Sequence, residues 1–139
     1  MNSAAALGWD DIAEGTEIAF PICVTDDDMQ RFARLSGDVS PLHTDPAFAR
    51  SKGYDDVIVY GGLLVSYISR LVGMHMPGQN SVEAGLEVKF VNPLFVDENA
   101  TLSGVVKRKH DSVRLLEITF RIATPAKTVA SGVARVLVR

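Results

Sequence analysis

Three observations in the sequence predict an α+β fold, an antiparallel sheet of five to six strands wrapped around one long, buried central helix. Apolar residues recur with a period of two in three stretches, 16–24, 82–92 and 113–123, as they do in half-buried strands, and 99–109 and 128–138 read as two further strands. The last four stretches follow one another through short turns, which makes neighbouring strands antiparallel and segregates the helical part of the chain. Between the first stretch and the rest lies GGLLVSYISRLVGMHMPG, apolar around most of its helical circumference and therefore read as buried.

Residues 1–15 read as a loosely ordered lead-in, with Leu7 and Trp9 as candidate anchors. From Thr16 to Val24, the residues Ile18, Phe20, Ile22 and Val24 mark one face of a strand, and Pro21 points to an edge position or a bulge. Thr25 with Asp28 has the form of a capping box, and aspartates at 26, 27 and 28 suit the positive end of a helix dipole. The helix that follows, 26–36, turns Met29, Phe32, Ala33 and Leu35 toward a core, and Gly37 stops it. Residues 37–44, GDVSPLHT, have a loop's composition. Asp45-Pro46 then supplies a cap and first position for a short helix to Ser51, and 57–59 is extended.

The central helix is expected over 61–74, ended by Pro77-Gly78. Its Gly62, Ser66, Ser69 and Gly73 form a small-residue stripe that would let a strand or a ligand approach. Strands follow at 82–92, 99–109, 113–123 and 128–138, with turns at His110-Asp111-Ser112 and Pro125-Ala126-Lys127. The cleanest alternation sets Leu116, Ile118, Phe120 and Ile122 against Glu117, Thr119 and Arg121.

A chain of 139 residues is expected to form a single domain, 1–139, large enough to bury a substantial core. A net charge of −3 gives no basic face for nucleic acid. The longest apolar stretch, 61–72, carries Arg70 and is shorter than the roughly 20 residues that cross a bilayer. The first residues lack the basic and apolar regions of a secretory signal, so a cytoplasmic protein without membrane partners is expected. Cys23, the one cysteine, forms no intramolecular disulfide and is expected as a small buried strand residue. The three histidines make no HxH or HExxH pattern, so no metal site is expected. His75 and His110 are expected at the surface, and Lys107-Arg108-Lys109 as a solvated strand end.

The candidate chemistry lies between Ser36 and Ser69. Asp38 and His43 sit five residues apart in a loop stiffened by Pro41, and a carboxylate beside an imidazole suits acid–base work on a water molecule. The same spacing suits a plain Asx-turn at Asp38 and a surface His43. Gly61-Gly62 opens a helix straight after an extended run, which leaves free backbone amides to stabilise a developing oxyanion. Ser66, one turn further on, faces that terminus and could bond Asp38, or else its own helix.

These residues carry a resemblance. SGDVSPLHTDPAFA, followed by VIVYGGLLVS, is similar to the loop of the MaoC-like (R)-specific enoyl-CoA hydratases, SGDxNPxHxDxxxA with a V-H-G-hydrophobic run after it. The likeness extends over about residues 16–138 in element order. It implies a hotdog fold, usually a homodimer with two sheets joined edge to edge, or a higher homo-oligomer, and interconversion of trans-2-enoyl and (R)-3-hydroxyacyl thioesters. It implies that Asp38 and His43 activate the water and carry the proton, that the Gly61 amide holds the carbonyl, and that Ser66 supports Asp38. The acyl carrier, coenzyme A or acyl carrier protein, belongs to the substrate, and no separate cofactor is needed. Ser40 and Tyr60 depart from the pattern, standing where Asn and His are usual; Tyr60 is expected to alter the acyl pocket or the loop facing it. Two other functions are compatible with this scaffold: an acyl-CoA thioesterase and a non-catalytic acyl-thioester binder.

Overall fold

The structure, a computed structural model, describes residues 2–139. Its elements are β1 (Glu17–Cys23), α1 (Asp26–Ser36), α2 (Pro41–Thr44), α3 (Pro46–Ser51), α4 (Gly61–Arg70), β2 (Ser81–Phe90), β3 (Asn99–His110), β4 (Leu115–Ala123) and β5 (Thr128–Val138). The strands make one five-stranded antiparallel sheet in the order β1-β3-β4-β5-β2. The expected class is therefore observed, with five strands, but the expected run of four neighbouring strands is not: β2 pairs with β5 and β3 with β1, so only β3-β4-β5 are joined as hairpins. Pro21 lies in β1, an edge strand, where a residue without an amide hydrogen is tolerated.

The sheet's inner face is built by the alternation read from the sequence. Leu116, Ile118, Phe120 and Ile122 of β4 are all buried, next to Leu102 and Val106 of β3 and Ala134 and Val136 of β5. Against them α4 presents Leu64 and Ile68, and the π-helical turn that continues it, Leu71–His75, presents Leu71 and Val72. Close approach is provided from the sheet side: a Cβ on Gly104 would lie 2.9 Å from Leu71 Cδ2. The small stripe on the helix plays another part. Gly62, Ser66 and Ser69 lie on the outward side of α4, exposed in the single chain, so the helix buries one face rather than its whole circumference. The α-helix also stops at Arg70, earlier than expected, and widens to an i→i+5 bond from Met76 N to Leu71 O just before Pro77.

Local signals at α1 hold. Thr25 Oγ1 accepts from Asp28 N at 3.2 Å and the Asp28 carboxylate accepts from Thr25 N at 2.9 Å, the two halves of a capping box. Gly37 ends the helix at φ 76°, the left-handed conformation glycine adopts without a steric penalty. Leu35, however, is 86% exposed, because the apolar stripe of this helix runs through Met29, Phe32 and Ala33 and leaves Leu35 off it.

Other expectations are corrected. Cys23 is exposed: with Phe20 and Ile22 facing inward, the alternation turns Cys23 outward. His75 is not a surface residue; it stacks on Phe20 at 5.0 Å with its Nε2 buried. The lead-in is also less loose than expected. Lys109 Nζ donates to the carbonyls of Trp9 and Ile12 at 2.8 and 2.6 Å, which draws that lysine out of the solvated strand end and onto residues 9–12. His110 is half-buried and bonded to Glu117 at 3.2 Å. No helix among the described residues is long and apolar enough to cross a membrane.

Candidate active site

The segment from α1 to α4 folds back on itself through a chain of short bonds. Ser36 Oγ donates to Phe32 O at 2.7 Å and accepts from Asp38 N at 3.1 Å, which fixes where the loop leaves α1. Asp38 Oδ1 accepts from Ser40 N at 2.9 Å, an Asx-turn, as its side chain in such a loop allows. The stretch expected as loop to residue 44 instead forms α2, since Pro41 suits a first helical position and Thr44 Oγ1 donates to Ser40 O at 3.1 Å. His43 thus stands on a helical turn. Asp45 caps α3 by accepting from Ala47 N and Phe48 N.

The extended run before α4 carries this loop to the core. Ile58 N donates to Leu42 O and Val59 N to Leu94 O, so the run is held between α2 and the segment ahead of β3. From there Ile58 O takes a 2.7 Å hydrogen bond from His43 Nδ1. A carbonyl only accepts, so this bond places the proton on Nδ1 and leaves the lone pair of the neutral ring on Nε2.

No hydrogen bond joins the side chains of Asp38 and His43 among the described residues; Tyr60 links them. It is 2% exposed, its ring stacks on the His43 imidazole at 4.1 Å, and its hydroxyl donates to Asp38 O at 2.6 Å. Burial, with the Asp38 charge as the lesser cause, pushes its phenol above the usual 10.0, so it remains a donor near neutral pH.

Tyr60 is also the N-cap of α4, but it offers no side-chain acceptor to that helix. The leading amides of Gly61 and Gly62 accordingly stay uncapped at the positive end of the helix. An apolar cleft of about 300 Å³ opens there, lined by His43, Ile58, Gly61, Leu64, Phe90 and Leu94 among others. A smaller hollow of about 240 Å³ lies on the other side of His43, against Met29, Ala33 and Tyr60.

The sequence-derived residues therefore divide. His43 and Gly61 share one cleft, and Asp38 is tied to them through Tyr60. Gly62 faces elsewhere: a Cβ there would lie 2.7 Å from Phe32 Cζ, so it makes room for that ring. Ser66 Oγ donates to Leu63 O at 2.6 Å, bonding its own helix and not Asp38. Phe90, which the sequence reading placed only in a strand pattern, lies over Gly61, with ring atoms 3.0–3.4 Å from where a Cβ would be. No sequence signal marks that contact, because it joins the end of β2 to the start of α4. Among the described residues no three His, Cys, Asp or Glu side chains gather as metal ligands.

Comparison with known proteins places the chain as a whole. The (R)-specific enoyl-CoA hydratase of Aeromonas caviae is 37% identical over 99 residues, which is 71% of this chain and 74% of that protein. The mitochondrial 3-hydroxyacyl-[acyl-carrier-protein] dehydratase of Arabidopsis thaliana is 33% identical over 72 residues, 52% of this chain and 42% of that one. The solved structure of an (R)-hydratase from A. caviae involved in PHA biosynthesis superposes with a TM-score of 0.87 at 31% identity, covering 92% of this chain and 98% of that one. The sequence pattern of the MaoC-like domain matches residues 11–127. The chain therefore belongs to the MaoC-like family of hotdog-fold hydratases and dehydratases.

Proposed function

We propose that this hydro-lyase adds water to trans-2-enoyl thioesters of coenzyme A or acyl carrier protein, giving (R)-3-hydroxyacyl thioesters, and catalyses the reverse elimination. The observation that carries this reading is the meeting of His43 and the Gly61 amide in one apolar cleft, with Asp38 anchored to the same imidazole through Tyr60.

In this reading the thioester carbonyl lies at the head of α4. The Gly61 amide and the helix dipole stabilise the negative charge that grows on the oxygen as the enolate forms. Asp38 and the Nε2 lone pair of His43 bind the water between them. Its oxygen bonds to C3, one of its protons passes through the pair to C2, and the double bond is consumed. The Nδ1 bond to Ile58 O keeps Nε2 as the position that exchanges protons. The thioester itself makes the C2 proton acidic, so the step calls for no metal or redox cofactor.

The purified protein is expected to bleach the conjugated absorbance of crotonyl-CoA without releasing free thiol. Thiol release would make it a thioesterase instead. Thermal stabilisation by enoyl thioesters without turnover would make it a binding protein. A homodimer in the cytoplasm is the assembly we propose, supported by the exposed Leu35 and Val39 that lead into and flank the Asp38 loop. Light scattering should give twice the chain mass, and a strict monomer would overturn that assembly.

A further inference from the structure

Tyr60 departs from the residue usual at its position, and its surroundings assign it a task other than shaping the acyl pocket. It sits between Val59 and Gly61, both of which line the cleft, but Tyr60 itself borders the smaller hollow on the other side of His43. The ring is held between two aromatic neighbours, His43 at 4.1 Å and Phe32 at 4.8 Å, and the hydroxyl spans 22 residues of sequence to the Asp38 carbonyl. A histidine reaches less far from the backbone and could not make the same bond with its ring in the same stack.

We propose that Tyr60 is a positioning residue: a single buried side chain that sets the distance between Asp38 and His43 by bonding the backbone of one and stacking on the ring of the other. The two contacts act on different degrees of freedom. The hydrogen bond holds the Asp38 backbone, and with it the Asx-turn from which the carboxylate projects. The stack holds the plane of the imidazole, whose rotation is already limited at Nδ1 by Ile58 O. Exposed Asp38 has little packing of its own to fix its position, so the tether supplies what burial does not. This inference rests on the hydratase reading for its kinetic consequence, though its structural part stands without it.

The test compares Tyr60→Phe, which keeps the ring and removes the hydroxyl, with Tyr60→Leu, which removes both. Displacing reacting groups slightly reduces turnover more than binding, so Tyr60→Phe is expected to lower kcat on crotonyl-CoA about tenfold with KM within about twofold. The preference among acyl chain lengths should stay as in the parent, and Tyr60→Leu should fall further. A parent-like kcat in Tyr60→Phe, or a changed KM and chain-length preference, would overturn the proposal in favour of a pocket wall. Circular dichroism corrects each rate for the folded fraction.

A second readout needs no turnover. By NMR of the free protein, Tyr60→Phe should shift the Asp38–Ser40 amides while leaving the His43 ring nitrogens at the parent's tautomer signature, and Tyr60→Leu should move both. Unmoved Asp38–Ser40 amides in Tyr60→Phe would refute the tether. Failure of the hydratase reading shows separately, as a parent protein inactive on every enoyl thioester.

Discussion

Asp38→Asn is expected to keep the fold and to lower hydration of crotonyl-CoA by about a thousandfold, within the range a general acid–base group supplies. The substitution isolates the charge because every structural bond of Asp38 survives it. An asparagine Oδ1 still accepts from Ser40 N, so the Asx-turn remains. The backbone carbonyl still takes the Tyr60 hydroxyl, and the backbone amide still donates to Ser36 Oγ. What disappears is the negative charge and the basicity that a water molecule needs. Melting temperature should therefore change little while the initial rate collapses. Full activity in the variant would remove Asp38 from the mechanism.

Gly132→Ala is expected to be the most costly single methyl group in the sheet. A Cβ at this position would lie 1.8 Å from Glu87 O, a backbone atom of β2, and 2.7 Å from Phe120 Cζ. The ring can turn, but the carbonyl belongs to the ladder in which Gly132 faces Val88, so the pairing of β2 with β5 must open. Overpacking of this severity costs about 3 kcal/mol. Urea unfolding should show the loss as an earlier midpoint. Gly85→Ala is the comparison, since its nearest neighbour, Arg135 Cβ, lies at an ordinary 3.9 Å. Equal stability of the two variants would contradict the close approach of β2 and β5.

The elements legible in the sequence are those whose causes are local. The capping box at Thr25, the glycine stop at 37 and the alternation of β4 each depend on residues a few positions apart, and each is found as read. Cys23 was also within reach of that reasoning, since a period of two that buries Phe20 and Ile22 must expose it. The candidate site was legible only as an inventory. Asp38, His43 and Gly61 could be named from spacing and resemblance, but their link could not, because Tyr60 joins them across distances that sequence does not record. The same holds for Phe90 over Gly61. Ser66 illustrates the opposite case, a local bond to Leu63 O competing with a longer-range one and prevailing.

The two margins of the sheet differ in a way that governs how it can be extended. β1 and β2 each pair on one side only, and a strand paired on one side presents its other side to any strand that comes alongside. β1 carries Pro21, which has no amide hydrogen to give. β2, ten residues long, contains no proline. Beyond its register shift at Glu83/Gly85, β2 offers a newcomer an unbroken edge from Gly85 to Phe90, which makes growth of the sheet directional. β2 ends on Phe90, whose ring rests on Gly61. A strand laid against that margin would stiffen the last residues of β2 and, through one phenyl ring, the amino end of α4.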